Sequence, residues 1–301
     1  MLKGSIVPLV TPFKEGALDE EALRRLIRRQ LRAGSHALSV GGSTGEPMGL
    51  SLEERKRLIQ IAVEEAGKIP VLAGTGTVRF QDTLELTRFA QRAGAWGALV
   101  MLPPAVRPNQ EGIYRYFARL AEEVEGFPLV LYNIPGRVGV EIRPETVQRL
   151  RQAYPQVVGL KHSSPDLEYV SRLIALLDED FAVYCGLEAL TFPMMALGAV
   201  GTIAATANWL PEEVAELTEL ALSGRFLEAR KLHHRLLLAN EAVFWDTNPI
   251  PLKTVLSWMG LIRKEWRPPL GPTTLEVEAR LRAMAERYGL LAASPKGVEG
   301  A

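Results

Sequence analysis

Residues 37–66 read ALSVGGSTGEPMGLSLEERKRLIQIAVEEA, and three textures follow one another along them. Residues 37–40 form a short apolar run. Residues 41–46, GGSTGE, supply glycines and hydroxyls, the composition of a tight turn. Ser51-Leu52-Glu53-Glu54 is a capping box, with a hydroxyl three positions ahead of a glutamate, and it opens an amphipathic stretch that runs to residue 66. An apolar run, a glycine turn and a capped helix in succession make the unit from which parallel sheets are built.

The same unit recurs outward in both directions. Short apolar runs fall at residues 5–10, 37–40, 71–73, 98–102, 129–131, 157–160, 181–184 and 200–204, and their shortness and flanking Gly and Pro favour strands. Amphipathic segments lie between them at 18–33, 51–66, 82–93, 110–124, 144–152, 165–177 and 188–197. The first has its acids early and its arginines late, as the helix dipole prefers. Eight runs alternating with helices predict a (β/α)8 TIM barrel, and ~200–225 residues suffice for a compact one. The competing arrangement is an open doubly wound sheet. Its dinucleotide-binding form would place GxGxxG in the first turn, where this chain has Val10-Thr11-Pro12-Phe13-Lys14. From Pro211 the alternation stops and the segments 211–223, 225–244, 250–259 and 273–288 read as helices. The expected division is a catalytic barrel over 1–210 and a helical C-terminal region over 211–301, with a frayed tail from about 292.

Composition narrows the function. Of 301 residues, 47% are hydrophobic, and 35 basic side chains balance 35 acidic ones. With no basic excess, nucleic acid is not expected as a partner. No apolar run approaches the length of a membrane span, and residues 1–5 lack a signal-type apolar core, so a cytoplasmic protein is expected. One cysteine and four histidines leave little for a metal centre. Only nine of the 35 basic residues are lysine, so a lysine inside an apolar run stands out.

Lys161 is such a residue, ending the run Val157-Val158-Gly159-Leu160. A partly desolvated amine at a strand end is a candidate Schiff-base nucleophile, and equally a lysine that reaches solvent or pairs with an acid. The turn at 41–46, with Ser43 and Thr44, could hold a small carboxylate or phosphate, or be a turn and nothing more. Tyr132, at the end of LVLY, could relay protons while Arg137 grips a carboxylate. The plain alternative is a core tyrosine and a surface arginine. His233 and His234 sit side by side on a helical segment and read as structural. Cys185 reads as a small buried residue.

Taken in order, GGSTGE at 41–46, YNIPGR at 132–137, GLK at 159–161 and GAVGTIAATAN at 198–208 resemble the dihydrodipicolinate synthase/N-acetylneuraminate lyase family of class I aldolases. The resemblance runs from SIVPLVTPF at 5–13 to NPIPLK at 248–253 and RPPLGP at 267–272. It implies a barrel with a helical extension, a homotetramer, and no metal or organic cofactor. It implies that Lys161 forms an imine with pyruvate, that Tyr132 shuttles protons with help from the Thr44 hydroxyl, and that Ser43 and Thr44 hold the pyruvate carboxylate. Arg137 would bind a carboxylate of the second substrate, and Ile203 would offer backbone beside the pyruvyl group.

The synthase branch, which condenses pyruvate with aspartate semialdehyde, is the nearest match. Two departures stand against it. Pro104 and Ala105 occupy the places of a tyrosine pair that serves the family's proton relay, and Gly186-Leu187-Glu188 stands where an acidic pair is common. Tyr114 and Tyr116 lie nearby, on a helical segment. The alternatives are an aldolase, lyase or dehydratase for another 2-oxo acid (a 2-keto-3-deoxy sugar acid, N-acetylneuraminate or 4-hydroxy-2-oxoglutarate) and a silent 2-oxo-acid-binding paralogue.

Overall fold

The computed structural model describes residues 1–291, so the tail expected from about residue 292 lies outside the described residues. Eight strands form the barrel: β1 (Gly4–Pro8), β2 (Ala37–Val40), β3 (Val71–Gly74), β4 (Gly97–Met101), β5 (Leu129–Asn133), β6 (Val157–His162), β7 (Ala182–Cys185) and β8 (Gly201–Ile203). Each pairs in parallel with its sequence neighbours. The ring closes where Gly4, Ser5 and Ile6 of β1 meet Gly201, Thr202 and Ile203 of β8. This is a TIM barrel, and the open doubly wound alternative is set aside by that closing ladder.

Strands buried on both faces explain why the runs are apolar without clean alternation. Along β1, Ile6 points into the barrel with Leu72, Leu99, Val130 and Ile203, whereas Val7 faces the helices. Tyr184 fills the inside near the N-terminal end of the barrel, and its hydroxyl donates to the Leu2 carbonyl at 2.8 Å, which floors it.

Seven helices follow the first seven strands: α1 (Glu20–Arg32), α2 (Leu52–Ala66), α3 (Phe80–Ala93), α4 (Gln110–Glu123), α5 (Pro144–Ala153), α6 (Leu167–Leu176) and α7 (Thr191–Ala196). The capping box at Ser51 and Glu54 forms as read. The first helix begins two residues later than the periodicity suggests, at Glu20. Ala17–Leu18 pairs instead with Phe13–Lys14 as a two-residue ribbon, and the Asp19 side chain caps the helix. Pro193 sits at the third position of α7, where a missing N–H costs little, and a separate tight turn over Glu188–Leu190 precedes it.

After β8, α8 (Pro211–Leu222) packs against β1, and α9 (Phe226–Ala242), α10 (Ile250–Trp258) and α11 (Leu275–Arg287) follow. The turn into α8 is a junction. Asn208 donates to the Pro8 and Ala205 carbonyls at 2.9 Å each. Arg29 of α1 forks onto the Asn208 and Trp209 carbonyls at 2.8 Å each. Trp209, fully buried, donates from its indole to the Leu252 carbonyl at 3.2 Å, so barrel and α10 share one core.

The β1–β8 seam has no room for a side chain at Gly201, where a Cβ would stand 2.2 Å from the Gly4 carbonyl oxygen. Gly201→Ala is therefore expected to lower unfolding free energy by about 1–3 kcal/mol in urea titration, the usual cost of overpacking. Unchanged stability would mean that the seam can open.

Candidate active site

The C-terminal ends of the strands gather a cavity of about 200 Å³ around Lys161. Lys161 and Tyr132 are register partners on β6 and β5, so both project to the same side of the ladder. The Lys161 Nζ lies 4.3 Å from the Tyr132 ring centroid, close enough for a cation–π contact, and both side chains are buried. Of the two readings of Lys161, the solvent-reaching one is excluded by this burial, and among the described residues no acid forms an ion pair with it.

The Tyr132 hydroxyl bonds with Ser163, Lys161 and Ser43. Burial raises its pKa, but the Lys161 charge and these hydrogen bonds outweigh burial and hold the phenol below its ordinary value. A phenol so placed gives up its proton more readily than a free tyrosine. The expected helper differs, however. Ser43, not Thr44, bonds to Tyr132. The Thr44 hydroxyl instead accepts from Asn248 Nδ2 at 3.1 Å, while still lining the cavity. Consecutive residues on a tight turn point in different directions, and the motif alone did not say which one faced the phenol.

Ile203 lines the cavity from β8, as the resemblance implied. Arg137 stands at its rim on a one-turn helix, Pro135–Val138, and is exposed. Its Nη2 donates to the Asn248 carbonyl at 3.3 Å. Tyr114 and Tyr116 do not reach the site. The Tyr116 hydroxyl bonds Thr83 at 3.3 Å against Phe80 and Phe117, and Tyr114 lies under Arg149. Cys185 is buried, and desolvation pushes its thiol up to about 12, so it stays protonated. His233 is also buried and packs against Phe192.

Several contributors were not singled out from sequence. Ser163 reaches Tyr132 because it follows Lys161 by two positions at the strand end. Gly186 keeps the lysine's space open, since a Cβ there would stand 2.0 Å from Ser163 Oγ and 2.7 Å from Lys161 Cε. Glu188 lines the cavity, its Oε1 accepting from the Ala205 N–H at 2.5 Å. Burial raises its carboxyl above the ordinary range, against the pull of nearby N–H groups and of Lys161.

The turn that carries Ser43 and Thr44 ends at Glu46, a buried residue with φ 55°, in the left-handed region that non-glycine residues seldom adopt. Lys253 of α10 donates to Glu46 Oε1 at 2.5 Å, and the Arg267 N–H donates to Oε2 at 2.9 Å. Lys253 is fully buried and lies 4.2 Å from the Phe13 ring centroid. Burial brings its ammonium down to about 8 against the opposing pull of Glu46.

A model of the dihydrodipicolinate synthetase family matches residues 1–288. A 4-hydroxy-tetrahydrodipicolinate synthase of Thermus thermophilus is 66% identical over 302 residues, covering 100% of both chains. The crystal structure of dihydrodipicolinate synthase from Aquifex aeolicus superposes with a TM-score of 0.95 at 42% identity, over 97% of this chain and 100% of that one. The chloride-inhibited dihydrodipicolinate synthase from Acinetobacter baumannii, complexed with pyruvate, superposes at 0.94 with 36% identity, over 97% and 100%. The chain belongs to the dihydrodipicolinate synthetase family.

Removing one member of the buried pair leaves the other charge uncompensated. Lys253→Met is expected to cost about 3–5 kcal/mol in urea titration at pH 7, and a loss below about 1 kcal/mol would show the pair to be dispensable. The pH trend has a definite sign. The folded ammonium titrates near 8 and the unfolded one near the ordinary 10.5, so the unfolded chain binds more protons in between. This group's cost is fully present below pH 8 and is relieved as pH rises toward 10.5. The stability gap between the unaltered protein and Lys253→Met should therefore widen from pH 8 to pH 10.

Proposed function

We propose that this family member is a 4-hydroxy-tetrahydrodipicolinate synthase, joining pyruvate to aspartate semialdehyde through an imine on Lys161. The observation that carries the reading is the buried Lys161–Tyr132 pair in a cavity lined by Ser43, Thr44 and Ile203, with Arg137 at its rim. The full-length relative of that name supports the choice of second substrate.

In this mechanism Lys161 Nζ adds in its unprotonated form to the keto carbon, and the former keto oxygen leaves as water after taking one proton from the amine and one from Tyr132. The imine draws electrons from the adjacent methyl, which loses a proton to the Tyr132 phenolate to give the enamine. The enamine carbon then attacks the aldehyde, and the new alkoxide takes that proton back from Tyr132. The amino group brought in by the semialdehyde adds to the imine carbon and displaces Lys161, which closes the ring and frees the lysine amine. Ser43 and Ser163 serve Tyr132 as hydrogen-bond partners through these transfers. Thr44, steadied by Asn248, helps hold the keto acid's carboxylate, and Arg137 meets the carboxylate of the incoming aldehyde.

The working unit we propose is the barrel of residues 1–210 together with the helical region that follows, since Lys253 and Arg267 both hold the turn that ends at Glu46. Assembly as a homotetramer in the cytoplasm belongs to the same reading. Leu197, Phe226 and Leu227, exposed apolar side chains, are in keeping with subunit contacts.

Pyruvate with borohydride is expected to leave a reduced adduct on Lys161, seen by peptide mass spectrometry, and Lys161→Ala to show neither adduct nor turnover. Turnover surviving in Lys161→Ala would remove the lysine from the mechanism. Tyr132→Phe should lower kcat about 10²–10⁴-fold, the usual worth of a placed acid–base group. Failure of aspartate semialdehyde, with turnover of a sugar acid, would replace the second substrate.

A further inference from the structure

Arg55 of α2 is buried, yet among the described residues no carboxylate pairs with it. Its guanidinium is spent on three main-chain carbonyls. Nη1 donates to Gly76 at 3.0 Å, and Nη2 to Gly74 at 2.8 Å and Gly41 at 3.4 Å, while Nε has no partner. Burial lowers its pKa to about 10, which leaves it charged at neutral pH. The other buried side chains of α2 are Leu58, Ile59, Ile61, Ala62 and Ala66. A buried cation without a counter-ion costs folding free energy.

Its position suggests what the charge serves. Gly41 and Gly74 directly follow the apolar runs of β2 and β3, and Gly41 (φ 71°) opens the turn that carries Ser43 and Thr44 into the cavity. At the other end of this turn, Glu46 is held by Lys253 and Arg267. Arg55 thus fixes the entry to the turn and places an uncompensated positive charge behind it. Inside a protein that charge is weakly screened.

We propose that Arg55 is a positioning residue for the keto acid, holding the turn at residues 41–46 and supplying the positive charge that the substrate's carboxylate answers. This rests on the reading of the cavity as a pyruvate site. If it holds, the effect must depend on the substrate's negative charge, which a purely structural role would not.

Pyruvate and its uncharged methyl ester separate the two. Lys161 adducts trapped by cyanoborohydride are measured against concentration for each compound, in the unaltered protein, Arg55→Gln and Arg55→Lys. In Arg55→Gln the preference for pyruvate over methyl pyruvate is expected to fall by about tenfold or more, as when a buried charge partner is removed, over and above whatever loss the loosened turn imposes on both compounds alike. Arg55→Lys keeps the charge but cannot span three carbonyls, and should lose a smaller part of the preference. It also covers the case in which Arg55→Gln does not fold. Equal loss toward both compounds in either variant, or an intact preference in both, overturns the proposal. Absence of any Lys161 adduct in the unaltered protein overturns the pyruvate reading and this inference together, whereas a normal adduct with an intact preference overturns this inference alone.

Discussion

The Glu46–Lys253 ion pair joins side chains that are 2% and 0% exposed, and taking both charges out of water costs several kcal/mol per ion before their attraction is counted. The surroundings offset that cost. The Phe13 ring lies beneath both Lys253, at 4.2 Å, and the Arg267 guanidinium, at 4.5 Å. Arg267 also forks onto Glu54 and the Gly49 carbonyl. Because Glu46 ends the turn that presents Ser43 and Thr44, the pair decides where those hydroxyls stand. The helical region is therefore part of the site's construction, although it contributes none of the proposed reacting groups.

A second constraint is space. The barrel interior is filled below the cavity by Ile6, Leu72, Leu99, Val130 and Tyr184, so the lysine must stand above them. It has room there because Gly186, on the neighbouring strand end, contributes no side chain. Tyr132 then supplies the lysine with a face to rest against and, on the proposed reading, a hydroxyl to exchange protons with. One strand pair, held in register by ordinary ladder bonds, sets both relations.

Most of the fold was legible because it is written in local texture. Each of the eight apolar runs overlaps an observed strand, and the capping box at Ser51 sits where it was read. Lysine scarcity led to Lys161, but the same criterion fits Lys253 in the apolar stretch NPIPLKTVL, and that lysine is structural. Burial of an amine does not by itself tell the proposed nucleophile from a strut; the two differ in their partners, an aromatic ring with a hydroxyl beside Lys161 and a carboxylate beside Lys253. The swap of Ser43 for Thr44 beside Tyr132 has a similar cause. Asn248, which takes up the Thr44 hydroxyl, is 204 residues away, and no local pattern encodes a bond of that span.

The Tyr184–Leu2 hydrogen bond has a consequence for traffic. With Tyr184 and the apolar side chains around it filling the interior below the lysine, the cavity opens toward the C-terminal ends of the strands, where Arg137 stands. On the proposed reading the keto acid has to reach the lysine at the bottom, while the aldehyde waits between it and the arginine at the rim. The deeper reactant must come first, and the joined product grows toward the exit. Order of arrival then follows from plumbing, with no moving part required to enforce it.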